Sequence, residues 1–129
     1  MRARILFVES TPDLATAVTS VLETNHFEVM RADNERRAAE RLAAGHFDVL
    51  VVEVKATADD PGLRFLRHVN TTAPHLTPRI VVISSDPPPP VQRELDAIGI
   101  CGILLKPVHQ TEILKAVEEC LDRTPATVQ

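Results

Sequence analysis

The stretch "VLVVEV", residues 49–54, sets five apolar side chains around one acid, Glu53, and four of the five are β-branched valines. A strand wetted on one face alternates apolar and polar residues, so an almost unbroken apolar run belongs to a strand covered on both faces. "IVVIS" at residues 80–84 repeats the pattern, and "ILFVES" at residues 5–10 runs apolar until it stops at Glu9 and Ser10. These runs predict strands over Ile5–Val8, Asp48–Val54 and Arg79–Ser84. Shorter candidates lie at Phe27–Ala32 and Gly102–Leu105.

Helical patterns fill the gaps between the strands. Leu14, Ala17, Val18, Val21 and Leu22 follow one helical face, with Thr11 as the expected cap and Pro12 in the first turn. The Ala- and Arg-rich stretch Asn34–Ala44 stops at Gly45. Leu63, Leu66 and Val69 mark a third helix, and Ile113, Leu114, Val117 and Leu121 mark the last, behind Thr111. Between them, Val91–Ile98 follows four consecutive prolines, which predicts a helix that is short and starts late. Alternating strands and helices imply an α/β fold, a parallel sheet with right-handed crossovers and helices on both faces.

Composition narrows the function classes. The 129 residues, 44% hydrophobic, suit one domain over residues 1–123 with a polar tail over residues 124–129. The net charge of −4 and the scatter of Lys and Arg among acids leave no basic stripe for nucleic acid or an anionic membrane. No apolar run approaches the roughly 18 residues of a membrane span, and no signal peptide pattern opens the chain, so the expected location is cytoplasmic. Cys101 and Cys120 lack metal-ligand spacing and read as core or half-buried residues. Five histidines, at positions 26, 46, 68, 75 and 109, follow no ligand spacing either.

In open parallel sheets, ligands bind at the carboxyl ends of the strands. Glu9 and Ser10 follow the first strand, Glu53 ends the third, Ser84 ends the fourth, and Lys106 with Pro107 follows the fifth. Any one of them is ordinary where a strand leaves the core. Together, in this order, they describe a site on one rim.

On these residues the chain, from Arg4 to Leu121, resembles the receiver domains of bacterial two-component response regulators. The resemblance implies a flavodoxin-like (βα)5 fold, with five parallel strands in the order 2-1-3-4-5. It implies an acidic pair at Glu9 and Ser10, the phosphoacceptor position at Glu53, phosphate-sensing positions at Ser84 and Lys106, and a cis-proline candidate at Pro107. Members of the family bind Mg²⁺ through the acids, take a phosphoryl group on an aspartate and report it to a protein partner.

The departures bear on function. Glu53 stands where the family has aspartate, and its extra methylene moves the carboxylate by about 1.5 Å, when a misplacement of about 1 Å costs in-line transfer on the order of a hundredfold. Ser10 replaces the second acid, so only weak Mg²⁺ binding at Glu9 and Glu53 is expected. Ile103 occupies the switch position, where the family places an aromatic, and is stiff at χ1. The loop "KATADDPG", residues 55–62, is one residue longer than the family pattern, and Asp59 and Asp60 read as turn formers rather than ligands.

Without a metal, Glu9 and Glu53 about 5 Å apart would repel by roughly 3 kcal/mol at an effective dielectric of about 20, and Lys106 can offset that. Glu53 is then either a fixed mimic of the phosphorylated state or a structural acid. The expectation is a phosphorylation-independent pseudo-receiver with no catalytic residue, no enzymatic activity and no required cofactor. It would bind a protein partner, with a second copy of the chain among the candidates, through the face made by Val91–Ile98, Gly102–Leu105 and Thr111–Asp122. Val91, Leu95, Ile98, Lys115 and Glu119 are its proposed contact residues. The alternatives are an active single-domain response regulator phosphorylated by a histidine kinase with Mg²⁺, and a flavodoxin-type carrier suggested by the hydroxyl-rich "ESTPDLAT" at residues 9–16. That stretch contains no glycine, and the chain has no Trp or Tyr to stack a flavin.

Overall fold

The computed structural model describes residues 2–9, 12–55 and 60–122. Ser10, the Thr11 cap, Asp59 and the polar tail lie outside the described residues. Strand β1 (Arg4–Val8) leads to α1 (Pro12–Thr24), β2 (Glu28–Ala32), α2 (Glu35–Ala44), β3 (Val49–Glu53) and α3 (Pro61–Thr72). A 3-10 turn over Pro74–Arg79, which no sequence signal had marked, precedes β4 (Ile80–Ser84), α4 (Pro89–Ile98), β5 (Gly102–Leu105) and α5 (Gln110–Asp122).

The five strands are parallel and lie in the order β2-β1-β3-β4-β5, the doubly wound arrangement the sequence implied. Alternate residues of the central strands serve two separate cores. Ile5, Phe7, Val49, Val51, Val81 and Ile83 face α1 and α5, whereas Leu6, Val8, Leu50, Val52, Ile80 and Val82 face α2, α3 and α4. All twelve are buried, which is why these strands have no polar alternation.

Helix ends follow local chemistry. The Asn34 side chain accepts the Arg37 N–H at 2.8 Å and starts α2. Helix α4 begins two residues earlier than the proline run suggested, at Pro89. The first turn of a helix has no use for its N–H groups, so Pro89 and Pro90 fit there instead of delaying it. The left-handed stop belongs to Gly99, with φ of 82°, which closes α4. Gly45 ends α2 in extended backbone that any residue adopts.

The apolar stripe of α4 faces inward. Val91 and Leu95 are buried in the core on that side of the sheet, and Ile98 packs against it half-buried. These three are therefore corrected from partner contacts to core residues, because so short a helix needs its whole apolar face to cover β4 and β5. Lys115 and Glu119 remain exposed on α5, 3.9 Å apart.

Candidate functional site

Strand register assembles the site. Val8 lies opposite Val52, so the next residues, Glu9 and Glu53, fall side by side at the carboxyl ends of β1 and β3. Glu53 is in turn opposite Ile83, and Ser84 is opposite Leu105. The Lys106 N–H then donates to the Ser84 carbonyl at 2.9 Å, carrying the lysine onto the same rim. Glu9, Glu53, Ser84 and Lys106 are thus brought together as the sequence predicted. The Lys106–Pro107 peptide bond is cis, as the resemblance implied.

Glu9 and Glu53 are 5% and 6% exposed, which makes their charge expensive unless it is matched. The Lys106 ammonium donates to the Glu53 carboxylate and forms an ion pair with it. Glu53 is also hydrogen-bonded to Glu9. Burial raises the Glu53 carboxyl, but the hydrogen bond with Glu9 and the nearby Lys106, helped by Lys55, outweigh it and hold Glu53 below the usual carboxylate range. Glu53 is therefore favoured in its ionised form.

The place of Lys55 at this rim and the full part played by Asp60 escaped the sequence reading. Lys55, two positions beyond Glu53, lines the acidic cleft with Glu9, Glu53 and Asp60; the cleft has a volume of about 80 Å³. Its signal was visible as a basic residue opening an acidic loop, but the loop's extra residue hid where it would point. Asp60 is almost wholly buried and caps α3, its Oδ2 accepting the N–H groups of Leu63 at 3.2 Å and Lys55 at 2.9 Å. Its expected part as a turn former holds in this stronger form. Burial pushes the Asp60 carboxyl up against these backbone donors, and the Glu53 charge adds to the rise.

Backbone packing locks the acceptor strand to this cap. A Cβ on Gly62 would lie inside the van der Waals radius of the Glu53 carbonyl oxygen, so only glycine lets α3 approach β3 here. Ser84 is fully buried, and among the described residues its Oγ has no hydrogen-bond partner. Ile103 is half-buried and packs against the α2–α4 core.

The residues described do not fit a Mg²⁺ ion well. The Glu53 carboxylate is bonded to a lysine and to a second carboxyl, and an Asp60 oxygen is spent on backbone donors. Among the described residues, no group of three or more His, Cys, Asp or Glu side chains is arranged to hold a metal.

A doubly wound five-stranded sheet with acids, a hydroxyl and a lysine-proline step along one rim defines a receiver-type protein. The match to the response regulator receiver domain family spans residues 5–118, and the chain belongs to that family. Solved structures agree. A CheY-like receiver domain from Methanospirillum hungatei JF-1 superposes with a TM-score of 0.84 at 18% identity, covering 95% of each chain. The chemotaxis response regulator CheY4 of Vibrio cholerae gives 0.81 at 25% identity, covering 94% of this chain and all of its own. A response regulator from Thermotoga maritima gives 0.81 at 20% identity, covering 95% and 100%. No curated protein matches the chain significantly. The described residues contain no helix long and apolar enough to cross a membrane.

Proposed function

We propose that this receiver domain works as a phosphorylation-independent pseudo-receiver, a non-enzymatic module that regulates or positions a protein partner in two-component signalling. The observation that carries this reading is the Glu53–Lys106 ion pair, backed by the Glu9–Glu53 hydrogen bond. In a working receiver the lysine is drawn to the site by the phosphoryl group. Here the longer acid at position 53 already holds it, so the contact is permanent. Glu53 lies in a geometry of self-satisfaction rather than attack: its carboxylate is engaged by a cation and by a second carboxyl group.

The partner face combines β5, the exposed edge of α5 and the outer side of α4. Leu105 is the large apolar residue left open on β5, 55% exposed, and Lys115 and Glu119 are exposed on α5. One observation favours the alternative of an active regulator. The buried Ser84 hydroxyl has no partner among the described residues, and a phosphoryl oxygen would satisfy it. The flavodoxin-type carrier gains no support from the family match.

The experiment that separates the first two readings is a two-dimensional amide NMR spectrum with and without Mg²⁺ and beryllium fluoride, a phosphoryl mimic. The expected result is no saturable shift at Glu9, Glu53, Ser84 or Lys106. Saturable shifts spreading from these residues into α4 would overturn the proposal in favour of an active regulator.

A further inference from the structure

The acidic cleft raises a question that the Glu53–Lys106 pair does not answer, since Asp60 and Glu9 share it and a receiver ordinarily neutralises such acids with a divalent ion. The other two acids lining the cleft are already served from outside it. Asp33 lies 3.5 Å from Arg37, and Glu35 lies 3.2 Å from Arg64. What remains at the centre is Glu9, Glu53 and Asp60.

Facing them from the chain itself are two cations. Lys106 is bonded to Glu53, and Lys55 lines the same cleft with its backbone fixed over Asp60 by the 2.9 Å bond from its N–H to Oδ2. Two lysines bring the same charge as one divalent ion to this cluster of acids. An ammonium also makes no demand for octahedral geometry, whereas Mg²⁺ does.

We infer that Lys55 is a built-in replacement for the divalent cation, so that the cleft is neutralised by the chain's own lysines and excludes the metal. This rests on the pseudo-receiver reading and explains how its site stays closed: entry of a metal would require two like charges to be brought together beside Glu53. Removing the Lys55 charge should reopen the cleft to a divalent ion even though Glu53 is kept.

The test is a titration of the full chain with Mn²⁺, whose unpaired electrons broaden nearby amide signals, for the wild type, Lys55→Gln and Lys55→Arg. Lys55 is exposed, so neither variant disturbs the core. The wild type and Lys55→Arg should show no saturable broadening at Glu9, Glu53 or Gly62. Lys55→Gln should show it, saturating at least about tenfold below the highest Mn²⁺ concentration at which Lys55→Arg stays unresponsive, the order expected from deleting one unit charge beside the site. Saturable broadening in the wild type, or no gain in Lys55→Gln, overturns the inference. Failure here is distinct from failure of the proposed function. A wild type that binds Mn²⁺ yet ignores beryllium fluoride sinks the lysine replacement alone, whereas a response to beryllium fluoride sinks the pseudo-receiver.

Discussion

At the amino end of the sheet, Asp48 accepts the Arg4 N–H at 2.7 Å and meets His46 at 3.0 Å, while Arg79 donates to its carbonyl at 3.3 Å. Arg4 in turn reaches the His46 carbonyl and the Glu28 carboxylate, with its guanidinium 4.8 Å above the Phe47 ring. At the carboxyl end, Glu53 meets a lysine on one side and another acid, Glu9, on the other. Both rims hold acids held below the usual carboxylate range against the cost of burial, Asp48 by the Arg4 N–H and His46, Glu53 by Glu9 and Lys106. The amino rim does it by giving each charge a donor or an opposite charge. The carboxyl rim does it with one lysine and a neighbouring acid, and each rim loses what its acid contributes as the pH falls through that acid's folded value.

The comparison breaks first at a glycine. Gly62→Ala puts a Cβ against the Glu53 backbone, where no flexible side chain can yield, so either α3 or β3 must move. The expected loss is about 3 kcal/mol, at the upper end for overpacking, read as a lower urea midpoint with an unchanged slope. The amide signals of Glu9, Glu53 and Lys106 should shift in the same variant while those of Arg4 and Asp48 stay. Disturbance of both rims would mean that they are not separate units.

Lys106→Gln is a milder break and tests the ion pair. It leaves Glu53 buried without its cation, which in a closed site costs about 3–5 kcal/mol; here Lys106 is 31% exposed and Glu53 can take up a proton, so about 2 kcal/mol is expected at neutral pH. The sign follows from linkage. Because the folded protein holds Glu53 below its unfolded value, the contribution of the Lys106 pair is present above the unfolded value and is lost as pH falls through the folded one. Urea unfolding of wild type and variant should therefore differ most at neutral pH and converge in acid. A difference independent of pH would show that Lys106 acts through packing instead.

How much of this was legible in the sequence depended on whether a residue's role was set by the chain near it. Glu9, Glu53, Ser84 and Lys106 could be read because each ends or follows an apolar run, and a parallel sheet brings such ends to one rim whatever the details. The inward face of α4 could not be settled that way. Val91, Leu95 and Ile98 make the same stripe whether it covers the sheet or faces a partner, and only the short reach of the helix over β4 and β5 decides. Pro89 and Pro90 misled for a related reason, since a proline that breaks a helix interior is harmless in its first turn. Lys55 and Asp60 were hidden by one extra loop residue, which shifts every contact that follows it. The Gly62 contact with Glu53 bridges two elements, and nothing in the local pattern announces it.

The smallest expected effect is at the amino rim, where Gly45 is the counterpart of Gly62. Its backbone is extended, with φ of −155°, a conformation open to alanine. An added Cβ would meet Arg4 Nη1 at 3.3 Å, the far end of a long side chain that can withdraw by a few tenths of an ångström. Alanine also restricts the unfolded chain, a gain of about 0.4–1 kcal/mol that this adjustment offsets in part. Gly45→Ala should consequently change stability by less than about 0.5 kcal/mol in either direction. Set beside Gly62→Ala in the same urea series, it asks whether glycine at a helix end matters for freedom or for space. A large loss at Gly45 would mean that the Arg4 network is as rigid as the acid site, and the contrast between a network that yields and a site that is locked would fail.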